Sequence, residues 1–210
     1  MPSSPTSTRA SWLKTLHQWH WVSSAICLIG MLLFALTGIT LNHAADIPAQ
    51  QTVQQRSAQL PADLRALLRA DAADDDERKA ELPPPVRDWL QQALDIELPT
   101  AQAEWSPEEV YLPLPRPGGD AWLRIARDSG EVEYERTDRG WISYLNDLHK
   151  GRHTGAAWKW FLDVFATACL VFCLTGLLIL KFHAAQRPGT WPMVALGLVL
   201  PLLLLILFTH

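Results

Sequence analysis

The residues of this chain best suited to chemistry are its seven histidines. A neutral imidazole binds a transition metal through a ring nitrogen, and it exchanges a proton near neutral pH. No histidine lies between residues 44 and 148, and the full set is His17, His20, His43, His149, His153, His183 and His210. Each of them lies at or beside the end of a long apolar stretch, so these stretches must determine which histidines can meet.

Three apolar stretches, at residues 22–41, 158–180 and 191–208, are long enough to cross a bilayer. Twenty residues at the helical rise span about 30 Å, the thickness of the hydrocarbon core. All 22 Asp and Glu residues lie between Asp46 and Asp163, which separates a water-facing middle from two apolar ends. The sequence therefore predicts a membrane α-helical protein with three transmembrane helices and a soluble insert between the first and second.

The distribution of basic residues predicts the orientation. Arg9 and Lys14 precede the first span, and no Lys or Arg follows it until Arg56. By the positive-inside rule, residues 1–21 and 181–190 are on the cytoplasmic side and residues 42–157 are on the outer side, which in a Gram-negative bacterium is the periplasm. The charges around the second span weakly favour the reverse, but the first helix usually dominates. The net charge of −4 argues against a nucleic-acid partner.

The spacing of apolar residues in the soluble insert changes from helical to strand-like part-way along. Apolar residues spaced three and four apart predict a helix at residues 86–94. Alternating residues at 110–114, 121–126 and 131–134, separated by Gly- and Pro-containing turns, predict a three-stranded antiparallel meander. Together they predict a small α+β domain at about residues 84–138. Upstream, residues 60–69 read as a short helix, and the rest of 46–83, with its acidic run at 74–77, reads as mobile or as a solvated helix face.

The predicted orientation places the histidines in two groups. His17, His20 and His183 lie on the cytoplasmic side, and His43, His149, His153 and His210 lie on the outer side. His17 and His43 are 26 residues apart, about 39 Å along a helix, so they cannot share one metal. Each side offers imidazoles from the first two helices, which is what axial ligation of a haem iron requires. Interfacial histidines without a metal, another metal, or a proton relay explain the same pattern.

The first two spans also repeat a short segment. Phe34-Ala35-Leu36-Thr37-Gly38 matches Phe172-Cys173-Leu174-Thr175-Gly176, and Leu16-His17 and Leu148-His149 begin the two repeats. Because the two spans cross in opposite directions, this is an inverted pair. The glycines permit close approach of a neighbouring helix or of a flat ring, and plain helix packing is the simpler of the two interpretations.

Several motifs, in chain order, resemble those of the PepSY-associated transmembrane helix family. They are Leu16-His17-Gln18-Trp19, Leu36-Thr37-Gly38, Leu41-Asn42-His43, Asp147-Leu148-His149-Lys150-Gly151 and Leu174-Thr175-Gly176. The insert resembles a single PepSY module. This resemblance implies a bacterial inner-membrane protein associated with iron acquisition, similar to ferric-siderophore reductases that hold b-type haem on both membrane faces. Larger members have four or more spans, so this chain could complete its bundle as a homodimer.

The resemblance places His17, His43 and His149 at motif positions, whereas His20, His153 and His183 are added by geometry alone. The resulting hypothesis is a protein with one or two haem b groups, held by His43 with His149 and by His17 with His183. It would pass electrons across the bilayer from a quinol or redox protein to a ferric siderophore or other ferric chelate, as a reductase or its electron-transfer subunit. The alternative is a non-enzymatic, membrane-anchored PepSY module that binds or inhibits a periplasmic partner.

Overall fold

The computed structural model describes residues 5–48, 51–70 and 78–209. The acidic run at 74–77 and His210 lie outside the described residues. Contacts divide the chain into two compact units. The helical unit comprises the described residues up to Ala35 together with those from Lys159 onward, and the sheet unit comprises Leu36–Trp158. Within the described residues, the α-helices are α1 (Pro5–Asn42), α2 (Ala62–Ala70), α3 (Pro84–Leu94), α4 (Trp141–Lys150), α5 (Ala156–His183) and α6 (Thr190–Phe208).

Three of these helices are long and apolar enough to cross a membrane. The spans are Arg9–Asn42, Ala156–Gln186 and Thr190–Phe208, with mean hydropathies of 2.3, 2.3 and 2.5. The predicted architecture of three membrane helices is therefore confirmed, and the chain is a multi-pass membrane protein. Helix α1 begins well before the predicted span, and α6 has no buried residue among those described.

Within the helical unit, α1 and α5 pack closely through small residues and aromatic rings. Cys27 is fully buried, and the rings of Phe34 and Phe165 stack with centroids 5.0 Å apart. The face of Gly30 lies directly against Phe165, whose Cδ2 would be 2.8 Å from a Cβ added at the glycine. A residue without a side chain is therefore required where the phenyl ring meets α1.

The sheet unit contains a six-stranded sheet with the order β1-β6-β5-β4-β3-β2. Its strands are β1 (Thr52–Gln59), β2 (Arg78–Glu81), β3 (Gln102–Trp105), β4 (Glu109–Pro113), β5 (Gly119–Ala126) and β6 (Glu131–Asp138). Every paired neighbour is antiparallel. Strands β4, β5 and β6 form the predicted meander, and α3 is the predicted helix, so a small α+β domain lies between the first and second membrane helices.

The core of this domain lies on one face of the sheet. Pairing aligns Val110 with Ile125 and Ile125 with Val132, which places all three side chains on the same face. Leu68 of α2 and Leu90 of α3 are fully buried in the same cluster, so both helices cover that face. The alternation of buried and exposed residues in the meander strands arises from this one-sided covering.

The prediction for residues 46–83 was partly wrong. Helix α2 matches the predicted short helix, but residues 52–59 and 78–81 form strands β1 and β2 at the two edges of the sheet. Strand β1 is almost wholly exposed and pairs with β6 along its full length. Such an edge strand is stabilised by backbone hydrogen bonds to its neighbour rather than by burial of side chains. Its sequence therefore lacks the alternation of apolar and polar residues that would predict a strand. The domain consequently extends from about Thr52 rather than from residue 84.

Candidate functional site

His17 and His183 meet within the helical unit. Their ring centroids are 6.1 Å apart and their planes are inclined by 88°. Nδ1 of His17 lies 2.8 Å from the carbonyl oxygen of Leu13, and Nδ1 of His183 lies 2.9 Å from that of Ile179. Both rings are thus tied back to their own helix by the same hydrogen bond, four residues upstream.

These hydrogen bonds determine the tautomer of each ring. A carbonyl oxygen can only accept, so Nδ1 must be the protonated nitrogen of His17 and of His183. In the neutral imidazole, Nε2 then carries the lone pair. Metal-binding histidines commonly donate their other ring N–H to a backbone carbonyl in this way, since the bond orients the ring and raises the basicity of the ligating nitrogen.

The two rings are in edge contact. Centroids 6.1 Å apart with planes inclined by 88° are the ordinary geometry of a T-shaped ring pair. Two neutral imidazoles from two helices would also be the donor set that a bis-histidine haem requires.

His20 lies on the repeated Thr-Gly step of α5. Its ring stacks on Phe172 with centroids 4.6 Å apart, and its Nδ1 lies 3.0 Å from Oγ1 of Thr175 and 3.2 Å from the carbonyl oxygen of Phe172. A Cβ added at Gly176 would be 3.3 Å from Cε1 of His20. We call His20, Thr175 and Gly176 the His20 seat.

His149 lies on the matching step of α1, within the sheet unit. Its Nδ1 is 2.6 Å from Oγ1 of Thr37, and a Cβ added at Gly38 would be 3.7 Å from its Cε1. We call His149, Thr37 and Gly38 the His149 seat. The sequence repeat paired His149 with His17, but the contacts show that His20 is its counterpart.

The remaining predicted ligands have other surroundings. His43 is exposed, and its Nδ1 lies 3.3 Å from the carboxylate of Asp46. His153 is exposed and has a left-handed backbone with φ of 55°. The structure therefore brings His17 and His183 together, while the neighbours described for His43 and His149 are Asp46 and Thr37. In the described part of the chain, no group of three or more His, Cys, Asp and Glu side chains could hold a metal ion.

Helix α4, which carries His149, is held by two buried polar residues: Asp147 contacts the turn between β4 and β5, and Asn146 contacts α1. Asp147 is only 6% exposed and accepts a hydrogen bond from the backbone N–H of Gly118 at 2.9 Å. Gly118 has φ of 72°, and a Cβ there would lie 2.7 Å from Cα of Tyr144, so the turn between β4 and β5 needs glycine at this contact. Asn146, also buried, accepts from Oγ1 of Thr40 at 2.8 Å.

In the sequence, the motif Asp147-Leu148-His149-Lys150-Gly151 was the signal that pointed to Asp147. The sequence could not assign its role, because its hydrogen-bond partner, the N–H of Gly118, is 29 residues away. Asp147 also lies 3.9 Å from Nε of Arg152, and the Arg152 backbone N–H bonds to the carbonyl of Asp147 at 2.9 Å. These contacts end α4 just after His149. The position of His149 therefore depends on how α4 is held by the sheet.

The comparison with known families identifies the chain. Residues 11–210 match the family described as "Putative PepSY_TM-like". The chain belongs to this family. The match covers all three membrane helices and the insert, so the resemblance read from the short motifs is confirmed at the level of the family. Searches of curated proteins and of solved structures found no match to this PepSY_TM-like chain.

Proposed function

We propose that this PepSY_TM-like protein binds haem b and passes electrons across the bacterial inner membrane, for the reduction of a ferric siderophore or another ferric chelate. The observation that carries the proposal is the pair His17 and His183, whose rings are 6.1 Å apart and whose Nδ1 atoms are both occupied by backbone carbonyls. The link to iron uptake comes from the family resemblance. The electron donor would be a quinol or a redox protein.

In this proposal, His17 and His183 would hold one haem toward the N-terminal end of α1, and His149 with His43 would hold a second toward its C-terminal end. A bound haem would supply one-electron redox chemistry. The chain's own residues would provide the ligands and their orientation. The carbonyls of Leu13 and Ile179 keep Nε2 of the first pair as the ligating atom, and Thr37 orients His149. The N-terminus would be cytoplasmic and the sheet unit periplasmic.

The test is a reduced-minus-oxidised visible spectrum of the full chain, purified in detergent from cells with ample haem. We expect a sharp b-type α-band. Replacement of His17 by Ala and replacement of His183 by Ala should remove the same centre, because either change deletes one of the two proposed ligands. Gln18→Ala, an exposed neighbour on the same helix, serves as the control and should keep the full spectrum. A colourless wild-type preparation would refute haem binding.

The outer pair is tested in the same way. His43→Ala and His149→Ala should each remove one centre and leave the centre at His17 and His183. Loss of both centres in either variant would contradict the proposed pairing of ligands, although not haem binding itself.

A second candidate function is supported by the face of the sheet opposite α2 and α3. On this face the rings of Tyr111 and Trp122 stack with centroids 6.3 Å apart, beside Glu109, Arg124 and Glu133, which form ion pairs. The pKa of Tyr111 is raised, mainly by burial and secondly by the carboxylates of Asp120, Glu104 and Glu109. The phenol therefore stays neutral at physiological pH. An aromatic pair surrounded by charged residues is typical of a protein-binding surface.

In this alternative the chain is a membrane-anchored binding or inhibitory module, and the histidines need no metal. Capture of one defined periplasmic partner by the wild type, lost in Trp122→Ala, would support it. Capture that is unchanged by Trp122→Ala would exclude this face as the binding surface.

A further inference from the structure

The two Thr-Gly steps of the repeat bind histidines in the same way. In the His20 seat, an imidazole from α1 lies on Thr175 and Gly176 of α5. In the His149 seat, an imidazole from α4 lies on Thr37 and Gly38 of α1. In each case Nδ1 meets the threonine hydroxyl and Cε1 faces the glycine. The shared geometry, in two units that each pack by themselves, indicates a specific use of these steps beyond simple helix packing.

Three acceptor oxygens determine the direction of the hydrogen bonds in the His20 seat: the carbonyl oxygens of Val171 and Phe172, and Oγ1 of Thr175. Oγ1 of Thr175 is 2.7 Å from the carbonyl oxygen of Val171, to which it donates its single proton. Its lone pairs are then left to accept from Nδ1–H of His20 at 3.0 Å. The carbonyl of Phe172, 3.2 Å from the same Nδ1, can also only accept. His20 is therefore held as the Nδ1-protonated tautomer, with the lone pair on Nε2.

The His20 seat lies next to the pair His17 and His183. His20 follows His17 by three residues, about one helical turn, and both face α5. A histidine fixed on Thr175 sets the sliding register of α1 against α5, and this register decides whether the rings of His17 and His183 can face each other. In the His149 seat the held histidine is itself a proposed ligand.

We infer that Thr175 and Thr37 are positioning residues: Thr175 holds His20 and thereby aligns His17 with His183, and Thr37 holds His149 directly. This assigns His20 a positioning role rather than the ligand role considered from the sequence. The alignment of haem ligands rests on the proposed function, whereas the two seats do not. A group that fixes a ligand's tautomer and orientation is expected to change the properties of a metal centre without touching the metal.

The experiment replaces each threonine by valine, which keeps the shape and removes the hydroxyl, and by serine, which keeps the hydroxyl. The first readout is nitrogen NMR of ¹⁵N-histidine in the full chain without haem, with the His20 signal assigned by its loss in His20→Gln. We expect a single Nδ1-protonated tautomer in the wild type and in Thr175→Ser. In Thr175→Val the carbonyl of Phe172 is the remaining acceptor described for Nδ1, so we expect a shifted Nδ1 resonance of His20 rather than a change of tautomer. An unchanged Nδ1 resonance in Thr175→Val would overturn the seat, whether or not the protein binds haem.

The second readout uses the haem-loaded protein. Thr175→Val should shift the reduction potential and the low-spin electron paramagnetic signature of the His17–His183 centre and leave the other centre unchanged. Thr37→Val should shift these properties of the centre that contains His149 and leave the His17–His183 centre unchanged. Serine at either position should restore the wild-type properties. Shifts of both centres by either variant would overturn the assignment of one threonine to each centre. If Thr175→Val does not fold, the resonances of His20 in Gly176→Ala decide, because a perturbed His20 supports the seat and an unperturbed one opposes it.

Discussion

The His20 seat and the His149 seat contain the same residue types, but different parts of the protein support them. The His20 seat lies between the membrane helices α1 and α5, which also meet where Gly30 contacts Phe165. The His149 seat receives its histidine from α4, which is attached to the soluble sheet through Asp147 and Gly118. One inverted repeat can therefore place two histidines while only one of them is coupled to the water-soluble domain.

This difference suggests how a soluble insert can influence a membrane site. A change in the turn between β4 and β5 would reach His149 through a buried carboxylate two residues away. The same change has no comparable route to His20 through the hydrogen bonds described for that residue, which lie on α5. A variant that perturbs one seat and leaves the other unchanged would therefore show that the two seats have separate supports.

The largest selective effect is expected for Asp147→Ala. Removal of a buried charged acceptor leaves the Gly118 N–H without its partner, at a cost of roughly 1.5–3 kcal/mol in stability. We expect a lower melting temperature in detergent, faster proteolysis of the turn before β5, and a shifted His149 resonance with an unchanged His20 resonance. Asp147→Asn, which retains an oxygen acceptor, is the matched control and should lose less. Equal shifts of both histidines would show that the two seats are not independently supported.

The reciprocal change is Gly30→Ala. An added methyl group would overlap the ring of Phe165, and overpacking of this kind costs about 1–3 kcal/mol, partly offset by the higher helix propensity of alanine. The helical unit should melt earlier, and the His20 resonance should shift while that of His149 stays in place. Gly197→Ala, where nothing lies within 4 Å of an added Cβ, is the control. A normal His20 signal in Gly30→Ala would mean that the seat does not need this helix contact.

The smallest effect is expected from the glycines of the two seats. A Cβ at Gly176 would be 3.3 Å from Cε1 of His20, which is tight, whereas a Cβ at Gly38 would be 3.7 Å from Cε1 of His149, an ordinary contact. Gly176→Ala should therefore move its histidine slightly, and Gly38→Ala should leave the histidine in place or stabilise the helix by some tenths of a kcal/mol. The shifts of the His20 and His149 resonances measure these two effects. A larger shift of His149 in Gly38→Ala than of His20 in Gly176→Ala would contradict the prediction.

Much of the fold could be predicted from the sequence because its signals are local. Runs of twenty apolar residues identify membrane helices whatever their neighbours are, and alternation predicted the meander of β4, β5 and β6. Strands β1, β2 and β3 were missed. β1 and β2 are polar edge strands, formed by pairing with β6 and β3, and β3 has only four residues, too few for a clear alternation. The candidate site was predicted less completely. The histidines were found by their position beside the spans, but not their individual neighbours.

The sequence by itself determined that this is a membrane protein with three apolar helices, a small α+β insert and histidines confined to the helix ends, since hydropathy and period depend only on neighbouring residues. The tertiary structure decided that His20 rather than His17 is the counterpart of His149, and that Asp147 attaches α4 to the sheet. These choices depend on contacts between residues as far apart as His20 and Thr175. A spacing of histidines along one chain cannot encode which helix face each of them meets, because that depends on how the helices pack.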